Sequence, residues 1–308
     1  MVQKQKIALI LCVVSLAACG MWACGQDNVD PPPPTQDAAG DSAQDVAQDA
    51  EVDAPQDVRA DTPVDPGLTQ GSVRVGDTEV EVVFAPFSLV VRRGDREVAT
   101  SYSGDEVAYR GLAIAVAPEF SETRWYDPKL VQGDIDDVVV WYQAGQVREG
   151  QAQGDGYVFD VATVAQDGAA GPDIRVTLGP SEGSVQLSVA CDDPGHVFTN
   201  LVLTASQSEG FYGLGEHFDR LDGRGLIRDM QTQAQGDSES AVNEVHVPVH
   251  MMISTQLYGL FLDDRAPAAF DLGATHDAAM RVTTASGDAP FRFFTADSPM
   301  ELIETYAS

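Results

Sequence analysis

From residue 67 onward, apolar and polar side chains alternate with a period of two rather than with the three-to-four spacing of a helix. Thr78-Glu79-Val80-Glu81-Val82 alternates residue by residue, and residues 87–91 form a compact apolar run. Residues 138–142, 157–161, 174–178, 185–189, 201–204, 247–253, 258–262 and 291–294 follow the same style. Gly94-Asp95, Asp155-Gly156 and Glu182-Gly183 stand between several of these runs, where chain reversals need residues that tolerate unusual backbone angles. About ten short strands with no strong helical stretch among them predict an all-β fold, a large antiparallel β-sandwich spanning residues 67–297. No repeat of solenoid or propeller period interrupts the pattern.

One helix start is clear, and it lies at residues 298–308. Ser298-Pro299-Met300-Glu301 is a capping box with proline at the first helical position. Pro299, Leu302, Ile303 and Tyr306 then share one face of the predicted helix. A helix opened by such complete start signals and followed only to Ser308 reads as the first turns of a further domain.

The first 66 residues follow a different pattern. Lys4 and Lys6 precede an apolar run over residues 7–16, too short for a bilayer span and in keeping with an export signal over residues 1–18. The run ends in Leu16-Ala17-Ala18-Cys19-Gly20, which resembles the bacterial lipoprotein lipobox; that resemblance implies lipidation of Cys19 and anchoring to a membrane, the outer membrane or cell surface. Residues 19–66 then read as an acidic tether. Asp37, Asp41, Asp45, Asp49, Asp53, Asp57, Asp61 and Asp65 fall every fourth residue, so a helix would stack like charges on one face. The proline run at 31–34, with Pro55 and Pro63, opposes helix as well, and an extended, self-repelling spacer is expected. The glycine turn and flanking ligands of a calcium loop are missing.

Charge narrows the function classes. Eighteen Lys and Arg against 48 Asp and Glu leave a net charge of −30, which excludes a nucleic-acid binder that grips phosphates through a basic face. An apolar content of 44% is still enough for a buried core. Once Cys12 leaves with the signal and Cys19 carries lipid, Cys24 and Cys191 remain, too few for a disulfide framework or a cysteine metal site. His246 and His250 are four apart, but Pro248 between them prevents the helix that would bring them together on one metal. No metal and no cofactor is implied.

Phe211-Tyr212-Gly213-Leu214-Gly215-Glu216 resembles the hallmark of the N-terminal, galactose mutarotase-like β-sandwich of glycoside hydrolase family 31, the α-glucosidase and α-xylosidase family. Three further elements follow in the family's order: Asn243-Glu244-Val245-His246-Val247-Pro248-Val249, then Tyr258-Gly259-Leu260-Phe261-Leu262-Asp263-Asp264, then residues 291–299 ending in Ser298-Pro299. The resemblance implies carbohydrate, the terminal sugar of an oligosaccharide or glycoside, as the ligand. It also implies a (β/α)8 catalytic barrel beyond the C-terminal helix as the partner domain.

The residues themselves suggest mainly structural roles. Gly213 and Gly215 bracket Leu214 with positions open to positive φ or to close backbone approach, and Glu216 is placed to accept backbone N–H groups or to fix a loop at the sugar-binding edge. Residues 224–243 read as a polar loop. By the resemblance, this loop reaches over the barrel mouth, where Arg228, Asp229 and Gln231, with His246 nearby, are the candidate sugar ligands. Planar amides, carboxylates and guanidinium groups suit hydroxyl-rich ligands.

No catalytic residue is assigned. Retaining glycosidases set two carboxyl groups about 5–5.5 Å apart across the scissile bond. In the resembled family the nucleophile sits in Trp-x-Asp-Met; Trp125-Tyr126-Asp127 lacks the methionine and runs into Pro128-Lys129, which reads as a turn. The chain is therefore expected to be the non-catalytic N-terminal part of an exported exo-acting α-glycosidase, inactive by itself. The alternatives are a stand-alone carbohydrate-binding surface lipoprotein and an aldose epimerase-like enzyme. The latter needs a His and Glu pair that the sequence does not assemble.

Overall fold

The alternation over residues 70–100 folds into a meander with Val80, Val82, Leu89 and Val91 on its core face. β1 (Gln70–Val75), β2 (Thr78–Phe84), β3 (Phe87–Arg93) and β4 (Arg96–Thr100) form a four-stranded antiparallel sheet in chain order. Val73 pairs with Val80 and Val80 with Val91, so the period-two pattern of each strand lands in register with its neighbour. Val80, Val82, Leu89 and Val91 are fully buried. The opposite face carries ion pairs, among them Arg74 with Glu79 at 2.5 Å and Arg92 with Glu81.

The computed structural model describes residues 69–117, 139–217, 219–230 and 247–308. The expected signal and tether, the Trp125-Tyr126-Asp127 stretch, and the candidates Cys19, Gln231 and His246 lie outside the described residues.

The remaining strands make one thirteen-stranded antiparallel sheet. They are β5 (Leu112–Val116), β6 (Val140–Gln153), β7 (Gly156–Ala165), β8 (Ile174–Ser181), β9 (Ser184–Cys191), β10 (His196–Thr204), β11 (Phe211–Gly213), β12 (Ile227–Asp229), β13 (Met251–Ser254), β14 (Tyr258–Leu262), β15 (Ala268–Asp271), β16 (Ala279–Thr284) and β17 (Asp288–Thr295). Their order is β11-β13-β14-β17-β9-β8-β7-β6-β5-β10-β16-β15-β12. The small sheet packs on the apolar face of the large one. Gly71 lies against the Phe159 ring, and the Thr78 hydroxyl accepts the Thr295 N–H at 2.9 Å. One core runs through both sheets, from Val80 and Leu89 through Phe159, Leu178 and Leu201 to Phe270, Phe291 and Phe293. This is the expected all-β sandwich.

The structure has more strands than the alternation predicts. β5 is apolar throughout and carries buried side chains on both faces, so it shows no polar partner every second residue. β11 and β12 are three residues each, below the length at which periodicity can be read. The expected strand over 247–253 shrinks to β13, because its pairing with β14 begins only at Met251.

The helix start is where the capping signals put it. α1 (Pro299–Ala307) is capped by Ser298, whose hydroxyl accepts the Glu301 N–H at 3.3 Å. The Glu301 carboxylate reaches back to the N–H of Asp297 at 2.8 Å, one residue earlier than the usual reciprocal bond. Of the predicted apolar face, Leu302 alone is buried; Ile303 and Tyr306 are 44% and 39% exposed, and Tyr306 meets Phe261 edge-on with ring centroids 5.0 Å apart.

Candidate functional site

β11 and β12 are the two outermost strands of the large sheet, yet only thirteen residues separate Gly213 from Ile227. That short connection forces the two edges together. The Gly223 N–H donates to the Phe211 carbonyl at 2.8 Å, and the Asp222 carboxylate accepts N–H groups from Phe211 at 3.1 Å and Arg224 at 2.9 Å. The sheet thus closes on a seam, and along it lie Gly213, Gly215, Glu216, Arg228 and Asp229.

Gly213, Leu214 and Gly215 all have positive φ, at 94°, 66° and 93°. A Cβ on Gly213 would lie 2.4 Å from the Met251 carbonyl oxygen, and one on Gly215 would lie 2.0 Å from that of Val247. Both positions therefore need glycine for conformation and for space. Leu214 is buried, and its N–H donates to the Met251 carbonyl at 2.8 Å. Glu216 is exposed; it is its backbone N–H that donates, to the Val247 carbonyl at 3.3 Å.

Arg228 and Asp229 are not in a loop but on β12, opposite Phe270 and Ala269 of β15. The expected loop over 224–243 is therefore strand at Ile227–Asp229, and the Met230 N–H donates to the Ala268 carbonyl at 2.8 Å. Arg228 is 2% exposed and forks onto Asp219, with Nη1 donating to Oδ2 at 3.0 Å and Nη2 to Oδ1 at 2.8 Å. These bonds hold the Asp219 carboxyl below its ordinary pKa. Asp229 is 1% exposed. A pocket of about 130 Å³ sits on the seam, lined by Tyr212, Leu214, Gly215, His217, Arg220 and Arg228 among others.

Asp219, Asp222 and His217 were not singled out in the sequence. Asp222-Gly223 is a turn dipeptide and so had a local signal. A buried arginine requires a carboxylate, but nothing local shows that Arg228 is buried or that Asp219 is its partner.

His217 Nε2 donates to the Leu214 carbonyl at 3.1 Å, and its pKa is pushed down by burial and then by the Arg228 charge. Burial is also the first cause of lowered values at His196 and His250. All three are held neutral below the ordinary 6.5, while the unfolded chain takes up protons there. Stability is therefore full above pH 6.5 and declines as pH falls toward the folded values. Thermal melts from pH 7.5 to pH 5 are expected to show a falling midpoint, and a flat profile would contradict this placement of the histidines. Among the described residues no group of three or more His, Cys, Asp or Glu is arranged to hold a metal ion.

The family described as Glycosyl hydrolase 31 N-terminal galactose mutarotase-like domain matches residues 39–271. The match begins inside the stretch expected to be tether. No curated protein matches the chain. Among solved structures, a GH31 sulfoquinovosidase from E. rectale, in complex with an aza-sugar inhibitor, is similar at a TM-score of 0.51 and 14% identity, over 73% of this chain and 33% of that one. A GH31 dextranase from Flavobacterium johnsoniae complexed with isomaltotriose is matched at 0.34 and 12%, over 77% and 26%. A cycloalternan-forming enzyme from Listeria monocytogenes with a pentasaccharide substrate is matched at 0.36 and 12%, over 77% and 21%. The chain thus spans a third or less of the length of these enzymes.

Proposed function

Because the chain belongs to the glycosyl hydrolase 31 family through its N-terminal galactose mutarotase-like domain, we propose that it is the non-catalytic N-terminal part of an exported, exo-acting α-glycoside hydrolase that helps shape the pocket for the terminal sugar. The supporting observation is the seam. Met230 and Val247, which flank residues 231–246, are both tied to it, the first through Ala268 and the second through Gly215 and Glu216. A segment rooted at two fixed points loses less entropy on meeting a ligand than one rooted in mobile chain. In this reading Arg228, Asp219 and the buried Asp229 hold the root, while Gln231 and His246 are the groups offered to sugar hydroxyls. Hydrolysis itself belongs to a barrel carrying the carboxylate pair. Purified residues 1–308 are expected to turn over no aryl α-glycoside. The test is the DNA past the Ser308 codon: an in-frame barrel with Trp-x-Asp-Met supports the reading, and unrelated sequence after a stop overturns it.

The same proposal takes Cys19 as the lipidated N-terminus of the mature protein, with the acidic tether holding the sandwich off its membrane. Metabolic labelling with a radioactive fatty acid is expected to mark the protein and to be lost in Cys19→Ser. Equal labelling of both would remove the anchor from the proposal.

A further inference from the structure

A second concavity lies away from the seam and shares no residue with it. It opens where the start of β6, the end of β7 and the short 3-10 turn Val107–Tyr109 meet, with a volume of about 530 Å³. Pockets for small ligands run from roughly 300 to 1,000 Å³. Its lining is mainly apolar, from Val107, Ala108, Val139 and the half-buried Trp141. Its rim is polar and exposed, from Glu106, Gln166 and Asp167.

The walls are held in place by bonds that do not depend on a ligand. Gln166 Oε1 accepts the Val107 N–H at 3.2 Å, and Gln166 Nε2 donates to the Asp105 carbonyl at 3.3 Å. Asn200, fully buried on β10, donates to the Ala108 carbonyl at 3.0 Å. Asp167 closes its own turn by accepting the Ala169 N–H at 3.0 Å. Glu106 precedes the 3-10 turn without capping it through its side chain and is exposed. A concavity with an indole and aliphatic floor, a planar amide and two carboxylates at the rim matches one chemistry well. The C–H face of a sugar ring packs on the apolar floor while its hydroxyls donate to the carboxylates and pair with the amide. The two rim carboxylates repel anions, which excludes uronates and sulfated sugars. Among the described residues the rim carboxylates belong to no cluster fit for a metal ion.

We propose that this pocket is a saccharide-binding subsite for neutral sugars, separate from the seam and independent of the role proposed for it. Such a subsite would retain an oligosaccharide on the domain whether or not a barrel is attached.

The test uses the full chain titrated with maltotriose and, separately, with glucuronate. The readout is the indole N–H resonance of Trp141, assigned by its loss in Trp141→Phe. Saturable movement of that resonance with maltotriose, and at least a tenfold weaker response to glucuronate, is the expected result. Glu106→Ala and Asp167→Asn lie on the exposed rim and are expected to keep the melting temperature while weakening maltotriose binding about tenfold together. Trp141→Phe, read by calorimetry, is expected to weaken it as well. No saturable change with maltotriose, equal response to glucuronate, or binding that survives the rim changes would overturn the proposal. Binding lost in Asp219→Ala but retained in the rim variants would locate the sugar at the seam instead and equally overturn it.

Discussion

Asp219→Ala is expected to cost about 3–5 kcal/mol, because it leaves the Arg228 guanidinium buried without its counter-charge. The Arg228 side chain is 3% exposed and both of its terminal nitrogens donate to Asp219. For a domain of this size the melting temperature should fall by on the order of 10 °C. Replacing both partners, Asp219→Ala with Arg228→Met, is expected to cost less than Asp219→Ala alone, since no charge is then stranded. A double variant no more stable than the single one would show that the pair is not the source of the loss. The pH dependence gives a second check. The folded Asp219 carboxyl titrates below its ordinary 3.8, so its contribution is complete above that pH and is lost as pH falls through the folded value. The difference between wild type and Asp219→Ala should therefore hold from pH 7 down to about pH 4 and narrow below it.

Gly215→Ala is the second large effect. Two costs add at this position: an L side chain at φ 93° is strained by about 1–2 kcal/mol, and the new methyl would sit 2.0 Å from the Val247 carbonyl oxygen. The clash cannot be relieved by rotating a side chain, because the opposing atom is backbone. Val247 must move, and with it the bond from Glu216. A total of about 3–5 kcal/mol is expected, read as a shift in the urea midpoint with an unchanged slope. Gly76→Ala separates the two costs. Gly76 has φ 59° in the β1–β2 turn and nothing within 4 Å of the added methyl, so only the conformational part, about 1 kcal/mol, should remain. Equal losses at Gly76 and Gly215 would show that the close approach to Val247 contributes nothing.

Much of the fold was legible along the chain wherever one face of a strand meets the core and the other meets water. Val80, Val82, Leu89 and Val91 announced β2 and β3 in that way, and Tyr258 to Leu262 became β14 without a change of boundary. The capping residues around Ser298 predicted α1 because a helix end is satisfied by its own neighbours in sequence. Strands buried on both faces were silent by the same logic. Leu112 to Ala115 is apolar and buried throughout, so no polar position marks its period. Of the shared face of α1, Leu302 alone is buried. Periodicity says which side chains share a face, not whether anything covers that face.

The candidate site divides along the same line. The sequence by itself determined that Gly213 and Gly215 suit conformations other residues resist, because glycine carries that meaning locally, whereas Arg228 and Asp229 were placed with them only by the resemblance. Only the tertiary structure decided where this lies: at the closure of a thirteen-stranded sheet whose first and last strands are joined by a short link. It also decided that Arg228 is spent on Asp219 rather than presented to solvent. Sheet closure and the pairing of a buried charge are set by contacts between strands distant in sheet order. Such contacts leave no period in the chain, and the long-range geometry that selects them exists only once the sheet has curled.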